Sequence, residues 1–433
     1  MKTYSVILIG AGQRGGRYTN IMADMPEKFK VVAVAEPIAC RLEYIQKKHN
    51  IPDEMCFNSW EDILALPKMA DLAIIATMDE MHYEPAIKAI QLGYDLLLEK
   101  PVAQTAKECA DIALEAKKHN AKVLVCHVLR YAPFYKSVKD LLMEGVIGDI
   151  MSGIQVEAVG NRHQSHSYVR GNWHSEEETT PMLLAKCCHD IDILQWLLDK
   201  PCKKVQSFGE LSHFKSENAP EGAPVRCVDG GCPVGDTCPY NCIKLYYDDK
   251  NNGWFRDACT KTVRSNSDAI TDEDVMKALK TTDYGLCVYH ANNDVVDHQT
   301  VNMQFDGGVT VTLHMNAFNQ GGRYIRLFGT KGELYANMKD KEITVYDFET
   351  RETKAYPVKV VGEEITYGHG GGDNGIVEEL YEYLNGDYKG VCAADINISV
   401  KNHLIGFAAE VARHNDTVES IDKFFDEYGF ENN

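Results

Sequence analysis

No stretch of this chain carries the roughly 18 consecutive apolar residues that a membrane-crossing helix needs. The opening MKTYSVILIGAG lacks the longer apolar core and small-residue cleavage site of a secretion signal. Basic side chains are short in supply, 45 against 64 acidic ones, and the resulting net charge of −19 repels phosphate backbones and anionic lipid. Neither nucleic acid nor a membrane is therefore an expected partner, and the chain reads as cytoplasmic. Internal repeats and low-complexity segments are also missing. Cysteine is not scarce: there are fourteen. In a reducing compartment they are expected as thiols, most of them small core hydrophobes rather than a disulfide framework.

What is present is enough for two cores. A chain of 433 residues exceeds what one interior usually fills. Over residues 1–125, apolar runs such as YSVILIG, KVVAVAE, LAIIAT, DLLLEKP and KVLVCHVL alternate with amphipathic stretches such as ECADIALEAKKH. Buried parallel strands read as continuous apolar runs, so this rhythm predicts βαβ units in a doubly wound parallel sheet. Residues 126–433 change character. Helices are predicted at PFYKSVKDLLMEG, over 182–198, and late in the chain near 374–385 and 395–413. HQTVNMQFDGGVTVTLHMNAF and RYIRLFGTKGELYAN, with their DGG and TKGE turns, predict a large, mostly antiparallel open sheet. The expected fold class is thus α/β, a Rossmann domain plus an α+β domain, with residues 212–285, rich in Cys, Gly, Pro, Asp and Asn, read as an insertion.

The first apolar run ends in Gly10-x-Gly12-x-x-Gly15, and Glu36 closes the next run. Glycines at these positions permit a tight turn, approach of backbone to a pyrophosphate, and packing of helix on strand. Glu36 is suited to the ribose hydroxyls and repels a 2′-phosphate, which favours NAD over NADP. Arg14 and Arg41 could blunt that preference. Gln13 and Thr77 complete the expected cofactor-binding set.

At LLLEKPVA the sequence resembles a known family. Glu99-Lys100-Pro101 after a strand is similar to the EKP motif of the glucose-fructose oxidoreductase, inositol dehydrogenase and rhizopine catabolism (Gfo/Idh/MocA) family. The likeness continues through IIATMDEMHYEPAIKAI, CHVLRYAPFYKSVKDLLMEGVIGDI, IRLFGTKGEL and GHGGGDN. It implies a nicotinamide-dependent oxidoreductase of sugars, glycosides or cyclitols, working as a homo-oligomer, dimer or tetramer, with Glu99 and Lys100 at the cofactor and Lys100 beside the reacting carbinol. His82 matches a position bordering the nicotinamide, though a histidine at a helix start also serves as a cap.

Removing hydride from a secondary alcohol requires removing the hydroxyl proton as well. In LLAKCCHDIDIL, the resemblance places the catalytic histidine at His189, while a leading aspartate common in relatives falls on Ala185. On a continuous helix, Lys186 would lie beside His189 and Asp190, and His189 beside Asp192. Lys186 is therefore expected as a hydroxyl donor that keeps His189 neutral, with Asp192 orienting the ring and Asp190 at the substrate. Cys187 and Cys188 point about 100° apart on a helix and read as walls.

NRHQSHSYVRGNWH concentrates Arg162, His163, Tyr168, Arg170 and Trp173, polar donors and aromatic faces suited to a sugar ring. Arg130, Tyr131 and His369 join them by family position, and the glycines after His369 could bring backbone close to a ligand. In the insertion, Cys227, Cys232, Cys238 and Cys242 could hold a structural zinc, remain free thiols or bind an iron-sulfur cluster. The leading expectation is a dehydrogenase acting at C3 of a pyranoside or related polyol. Also open are an NAD-dependent glycoside hydrolase that oxidises C3 transiently, as GHGGGD resembles the α-N-acetylgalactosaminidase branch, and a dinucleotide sensor without turnover.

Overall fold

The computed structural model describes residues 2–264, 269–359 and 369–432. Gly368, which opens the GHGGGDN stretch, lies outside them. Strands β1 (Tyr4–Ile9), β2 (Phe29–Ala35), β3 (Cys56–Phe57), β4 (Leu72–Ile75), β5 (Asp95–Leu98) and β6 (Val123–Val125) form a parallel sheet in the order β3-β2-β1-β4-β5-β6. Their side chains are apolar on both faces because helices cover both: Ile7, Leu8, Ile74, Leu97 and Leu124 are all fully buried. Strand order reverses between β1 and β4, so a ligand crevice opens at the carboxyl ends of these two strands.

The glycine loop sits at that crevice. Gly10 has φ +89°, and a Cβ there would stand 2.6 Å from the Ala76 carbonyl oxygen, so the close approach it permits is to the neighbouring strand end. A Cβ on Gly15 would meet the Gly10 carbonyl oxygen at 2.0 Å, which makes Gly15 the helix-on-strand contact. Gly12 is different: a Cβ there would meet only an Arg41 side-chain nitrogen, at 3.6 Å.

The second sheet is built from β7 (Ile150–Ala158), β8 (Cys202–Glu210), β9 (His298–Phe305), β10 (Thr310–Asn316), β11 (Gly322–Gly329), β12 (Gly332–Asn337), β13 (Glu342–Asp347), β14 (Thr353–Pro357) and β15 (Glu419–Ser420). Its order is β14-β13-β12-β11-β7-β10-β9-β8-β15, antiparallel throughout except where β7 runs beside β10. The late helices form at Gly372–Asn385 and Ile396–Asn415. The first packs on the Gln13–Ala23 helix, and the Val125 amide donates to Ala394 O at 3.1 Å, so the chain returns to the edge of the first sheet.

The segment between β8 and β9 has a core of its own. Leu245, Tyr246, Phe255, Val275 and Leu279 cluster there, and Thr271 and Asp274 form a capping box that starts the Asp272–Thr281 helix. Packing of these apolar residues holds the insertion together.

Gly15→Ala forces a methyl group onto a backbone oxygen and should destabilise the chain by about 1–3 kcal/mol or more. Gly12→Ala should leave the thermal midpoint within about a degree of wild type. Differential scanning calorimetry of the two variants checks this; equal midpoints would contradict the roles given to these glycines.

Candidate active site

Strand β5 delivers Glu99 and Lys100 to the crevice, and the Lys100–Pro101 peptide bond is cis. Glu99 is buried, yet its carboxylate is held below the ordinary range because Arg14 and Lys100 offset the cost of burial. Arg14 Nε donates to Glu99 at 2.8 Å, Tyr18 donates to the same oxygen at 2.6 Å, and the Lys100 amide donates to the other at 3.0 Å. The far side of the Arg14 guanidinium meets Asp373, at 2.8 and 3.1 Å. Arg14 is thus committed to two buried carboxylates from different domains. It does not face a cofactor 2′-phosphate, as the sequence left open.

Glu36 accepts from the amides of Ala11 at 2.7 Å and Ile38 at 2.9 Å, so it fixes the glycine loop while standing at the end of β2. The Gln13–Ala23 helix begins with no side-chain cap on its free amides. Those amides and the open space at Gly12 fit a pyrophosphate. Thr77 spends its hydroxyl on Met81 O at 2.9 Å. His82 makes no side-chain cap. Its Nδ1 lies 2.7 Å from Pro101 O and its Nε2 3.3 Å from Thr77 O, so it ties the EKP turn to the loop after β4.

Lys100 Nζ donates to Ala185 O at 3.0 Å, which brings LLAKCCHDIDIL over the EKP turn. The helix expected over 182–198 is broken: Met182–Ala185 ends, Lys186 and Cys187 depart from regular helix, and Cys188–Leu198 begins. Spacing arguments that cross this break fail. Lys186 instead turns to Glu157, at 3.6 Å. Burial lowers the Lys186 ammonium and raises the Glu157 carboxyl, each partner partly opposing the shift in the other.

His189 is buried, and its Nδ1 has no hydrogen-bond partner. Burial, then the Lys100 charge, then His369, hold the imidazole well below its ordinary pKa, so it is neutral. The charge that keeps it neutral is chiefly that of Lys100, not Lys186. Nor does Asp192 orient the ring. Asp192 accepts from Arg130 at 2.7 and 2.8 Å and from Asn402 at 2.6 Å. Around His189 stand two rings that sequence reasoning passed over or placed elsewhere. His127 lies 6.0 Å away and His369 5.7 Å away, and His127 leads on to His403 at 5.7 Å. His127 was visible in the quoted CHVLRYAP stretch; His403 carried no local signal.

Asp190 accepts from Gln155 at 2.8 Å and from Arg323 at 3.1 Å, while Arg323 also meets Glu157 at 2.5 Å. Arg323 is therefore the hub of a buried network that the sequence reading missed. Its only cue was a charge, in GGRYIRLFG, on a strand that otherwise alternates. Asp190, expected at the substrate, is spent inside this network.

The polar loop separates into two groups. His163 stays at the site, half-buried and kept neutral by desolvation and the Lys186 charge, with its ring 4.9 Å from Trp254. Trp173 donates from Nε1 to Asp79 at 3.0 Å, and Lys100 acts electrostatically on Asp79, so Trp173 borders the crevice. Tyr168 is buried, 5.7 Å from His163 and 6.2 Å from Trp173. The others turn away. Arg162 pairs with Asp249, and Arg170 donates to Leu286 O and Tyr240 O, both at 2.7 Å, inside the insertion. Tyr131 is buried near Tyr388 and Glu379, and Arg130 is closed on Asp192. His369 bonds Asp373 at 3.1 Å. The glycine run beside it approaches protein, since a Cβ on Gly372 would meet Val128 O at 2.1 Å.

The cysteines do not build a metal centre. Among the described residues no group of three or more His, Cys, Asp or Glu could hold a metal ion, and the zinc expectation for Cys227, Cys232, Cys238 and Cys242 is corrected accordingly. Cys227 accepts from Cys242 and faces Arg170, which together bring its thiol down to about 5, and Cys242 Sγ also lies 3.9 Å from Gly285 O. Burial pushes the Cys188 thiol up to about 12 and raises that of Cys187 as well, as befits inert walls. Among the described residues no helix is long and apolar enough to cross a membrane.

Residues 4–127 match a family described as oxidoreductase, NAD-binding Rossmann fold, and residues 139–395 match its C-terminal α/β domain. The Bacillus subtilis protein YteT, named as an oxidoreductase, is 24% identical over 84% of this chain and 81% of its own. Inositol 2-dehydrogenase of Salmonella typhimurium is 28% identical over 46% of this chain, and 2,7-anhydro-N-acetylneuraminate hydratase of Escherichia coli 27% identical over 48%. The chain spans about half the length of these two, 56% and 53%. An Agrobacterium radiobacter oxidoreductase, solved with NAD+, L-tartaric acid and magnesium, superposes with TM-score 0.67 at 12% identity, covering 97% of this chain and 99% of that one.

Arg130→Met leaves Asp192 as an unpaired buried charge and should cost about 3–5 kcal/mol in urea unfolding. A stability within 1 kcal/mol of wild type, roughly a surface-residue effect, together with a raised KM, would instead make Arg130 a substrate residue.

Proposed function

The chain belongs to the Gfo/Idh/MocA oxidoreductase family, and from that premise we propose that it moves hydride between NAD and a secondary hydroxyl, at C3, of a sugar, glycoside or cyclitol. The observation that carries this reading is that Lys100, whose Nζ is held by Ala185 O, acts electrostatically on a buried, neutral His189 whose Nδ1 has no hydrogen-bond partner. NAD, when bound, supplies the hydride acceptor. The glycine loop and the free amides of the Gln13–Ala23 helix hold the pyrophosphate, and Glu36 at the end of β2 favours ribose hydroxyls over a 2′-phosphate.

Lys100 donates to the reacting oxygen in place of Ala185 O and stabilises the negative charge that builds there as hydride departs. His189 accepts the hydroxyl proton, a role that its neutral state permits. Arg14 fixes Glu99, and Glu99 binds the Lys100 amide, so the ammonium leaves a rigid turn. Trp173 offers its ring to the apolar face of a sugar. Substrate is a small molecule; oligomer formation through the open sheet, as a dimer or tetramer, belongs to the same proposal.

A second reading is favoured by a specific feature. Lys186, which acts on His163, and buried Glu157 form another acid/base pair, which a simple alcohol oxidation does not need. Transient oxidation at C3 acidifies the C2 proton, and such a pair can take it, after which an aglycone leaves, water adds and hydride returns. The similarity to a hydratase supports this variant.

Three measurements test the proposal. A panel of glycosides, free sugars and inositols followed at 340 nm should give NADH in proportion to keto product; glycoside cleavage with no net NADH selects the second reading, and no reaction with any member contradicts both. Lys100→Met should reduce hydride transfer by at least about 10³-fold, a loss of order 4 kcal/mol in barrier, with NADH affinity within about threefold; turnover near wild type would contradict the role. Because burial and Lys100 keep His189 neutral, the single-turnover rate should stay flat as pH falls from about 8 to about 6.5, where an ordinary histidine begins to protonate. A decline with a midpoint near 6.5 that His189→Gln abolishes would contradict that state.

A further inference from the structure

The insertion reaches back across the molecule to the dinucleotide crevice. Its Gly253–Thr260 helix presents Trp254, whose Nε1 donates to Gln13 Oε1 at 2.6 Å, at the first turn of the glycine-loop helix. The same indole lies 4.9 Å from His163 and 5.2 Å from His166, so it spans the cofactor loop and the substrate loop. Immediately after the helix, Lys261 Nζ donates to Asn172 Oδ1 at 2.8 Å, and Asn172 Nδ2 lies 3.4 Å from Met78 Sδ in the loop after β4. Burial and then Arg41 push the Lys261 ammonium down to about 8, while Asp257 and Glu36 pull it up, which sets Lys261 among the charges at the end of β2. Arg264 pairs with Asp257 at 2.7 Å. Trp254 therefore meets the loop after β1 directly, and Lys261 reaches the loop after β4 through Asn172 and feels the charges of Glu36 and Arg41 after β2; these are the loops that enclose a dinucleotide at a switch point.

We infer that the insertion is a wall of the cofactor site, in which Trp254 covers the pyrophosphate portion and Lys261 binds the adenosine ribose portion of the dinucleotide. Trp254 is exposed, 42%, anchored at its polar edge on Gln13, and its ring is free to meet a ligand. Lys261 supplies the cation that the inward-turned Arg14 does not. With Glu36 beside it, the ammonium donates to ribose oxygens that Glu36 holds from their hydrogens. Such a wall slows dissociation, so the bound dinucleotide persists between turnovers. This inference rests on the reading of the first domain as an NAD site.

The test is NADH binding to the full chain, read as quenching of tryptophan emission with energy transfer to the nicotinamide, and dissociation followed by stopped flow with excess NAD+ as the chase. Lys261→Ala and Trp254→Ala should each raise the NADH Kd about tenfold, the loss of one charge-assisted contact or one packed ring, and should speed dissociation. Lys261→Arg, which keeps the cation, should restore most of the affinity. ADP-ribose, which has no nicotinamide, should show the same ranking when it competes with NADH. Lys250→Ala, which breaks a pair with Asp272 inside the insertion, should leave binding within twofold. NADH and ADP-ribose affinities within twofold of wild type for both Lys261→Ala and Trp254→Ala overturn the inference and leave the NAD site standing. Wild-type protein that binds no NADH overturns both. Equal losses in Lys250→Ala and Lys261→Arg would show general loosening of the insertion and also overturn it.

Discussion

One guanidinium holds the working parts in register. Arg14 lies between Glu99 of the EKP turn and Asp373 of the second domain, with Tyr18 closing the cluster. Two carboxylates buried this deeply would repel each other and lose their solvation; the cation between them turns that cost into a geometric constraint. The constraint propagates. Glu99 binds the Lys100 amide, Lys100 Nζ reaches Ala185 O, and Ala185 ends the short helix before the break that sets His189. Asp373 in turn fixes His369, whose ring faces His189. The glycine loop, Lys100 and His189 are thus tied to one charge.

Around that junction, buried ionic groups differ in how firmly they are held. Arg130 with Asp192, and Arg323 with Glu157 and Asp190, neutralise charge inside the second domain and leave little freedom for substrate. Lys100, His189 and Lys186 differ: the ammonium of Lys100 is held by a single carbonyl, one His189 nitrogen has no partner, and Lys186 has a carboxylate at a distance longer than a hydrogen bond. Groups held this loosely can exchange partners with a ligand at low cost, whereas the bidentate pairs cannot.

Legibility in the sequence followed chain separation. The glycine loop, Glu36, the EKP turn and both sheets are local patterns, and they form where the residues imply, because a strand or a turn is decided by neighbours. The side-chain partners were legible only where local spacing governs. Asp192 looked like a support for His189 three residues away, but its guanidinium comes from 62 residues earlier, and Arg323 joins Asp190 from 133 residues later. Arg14 reaches Asp373 across 359 residues. The break at Lys186 and Cys187 had no proline or glycine to announce it; Lys186 is drawn toward Glu157 on β7, a tertiary demand that outweighs helical propensity. The insertion misled for a related reason, since its few apolar residues are dispersed among turns and become a core only when Phe255 and Leu279 meet.

The most direct measurement of the central claim is a double-mutant cycle on Arg14 and Asp373, read as urea unfolding free energies of wild type, Arg14→Met, Asp373→Asn and the double variant. If Arg14 is the bridge between the domains, the two changes share one interaction and the cycle should give a coupling of about 1.5–3 kcal/mol, with Arg14→Met alone the most damaging because it strands two carboxylates. Strict additivity, a coupling below about 0.5 kcal/mol, would contradict the account and leave Glu99 with no link to the second domain through Arg14.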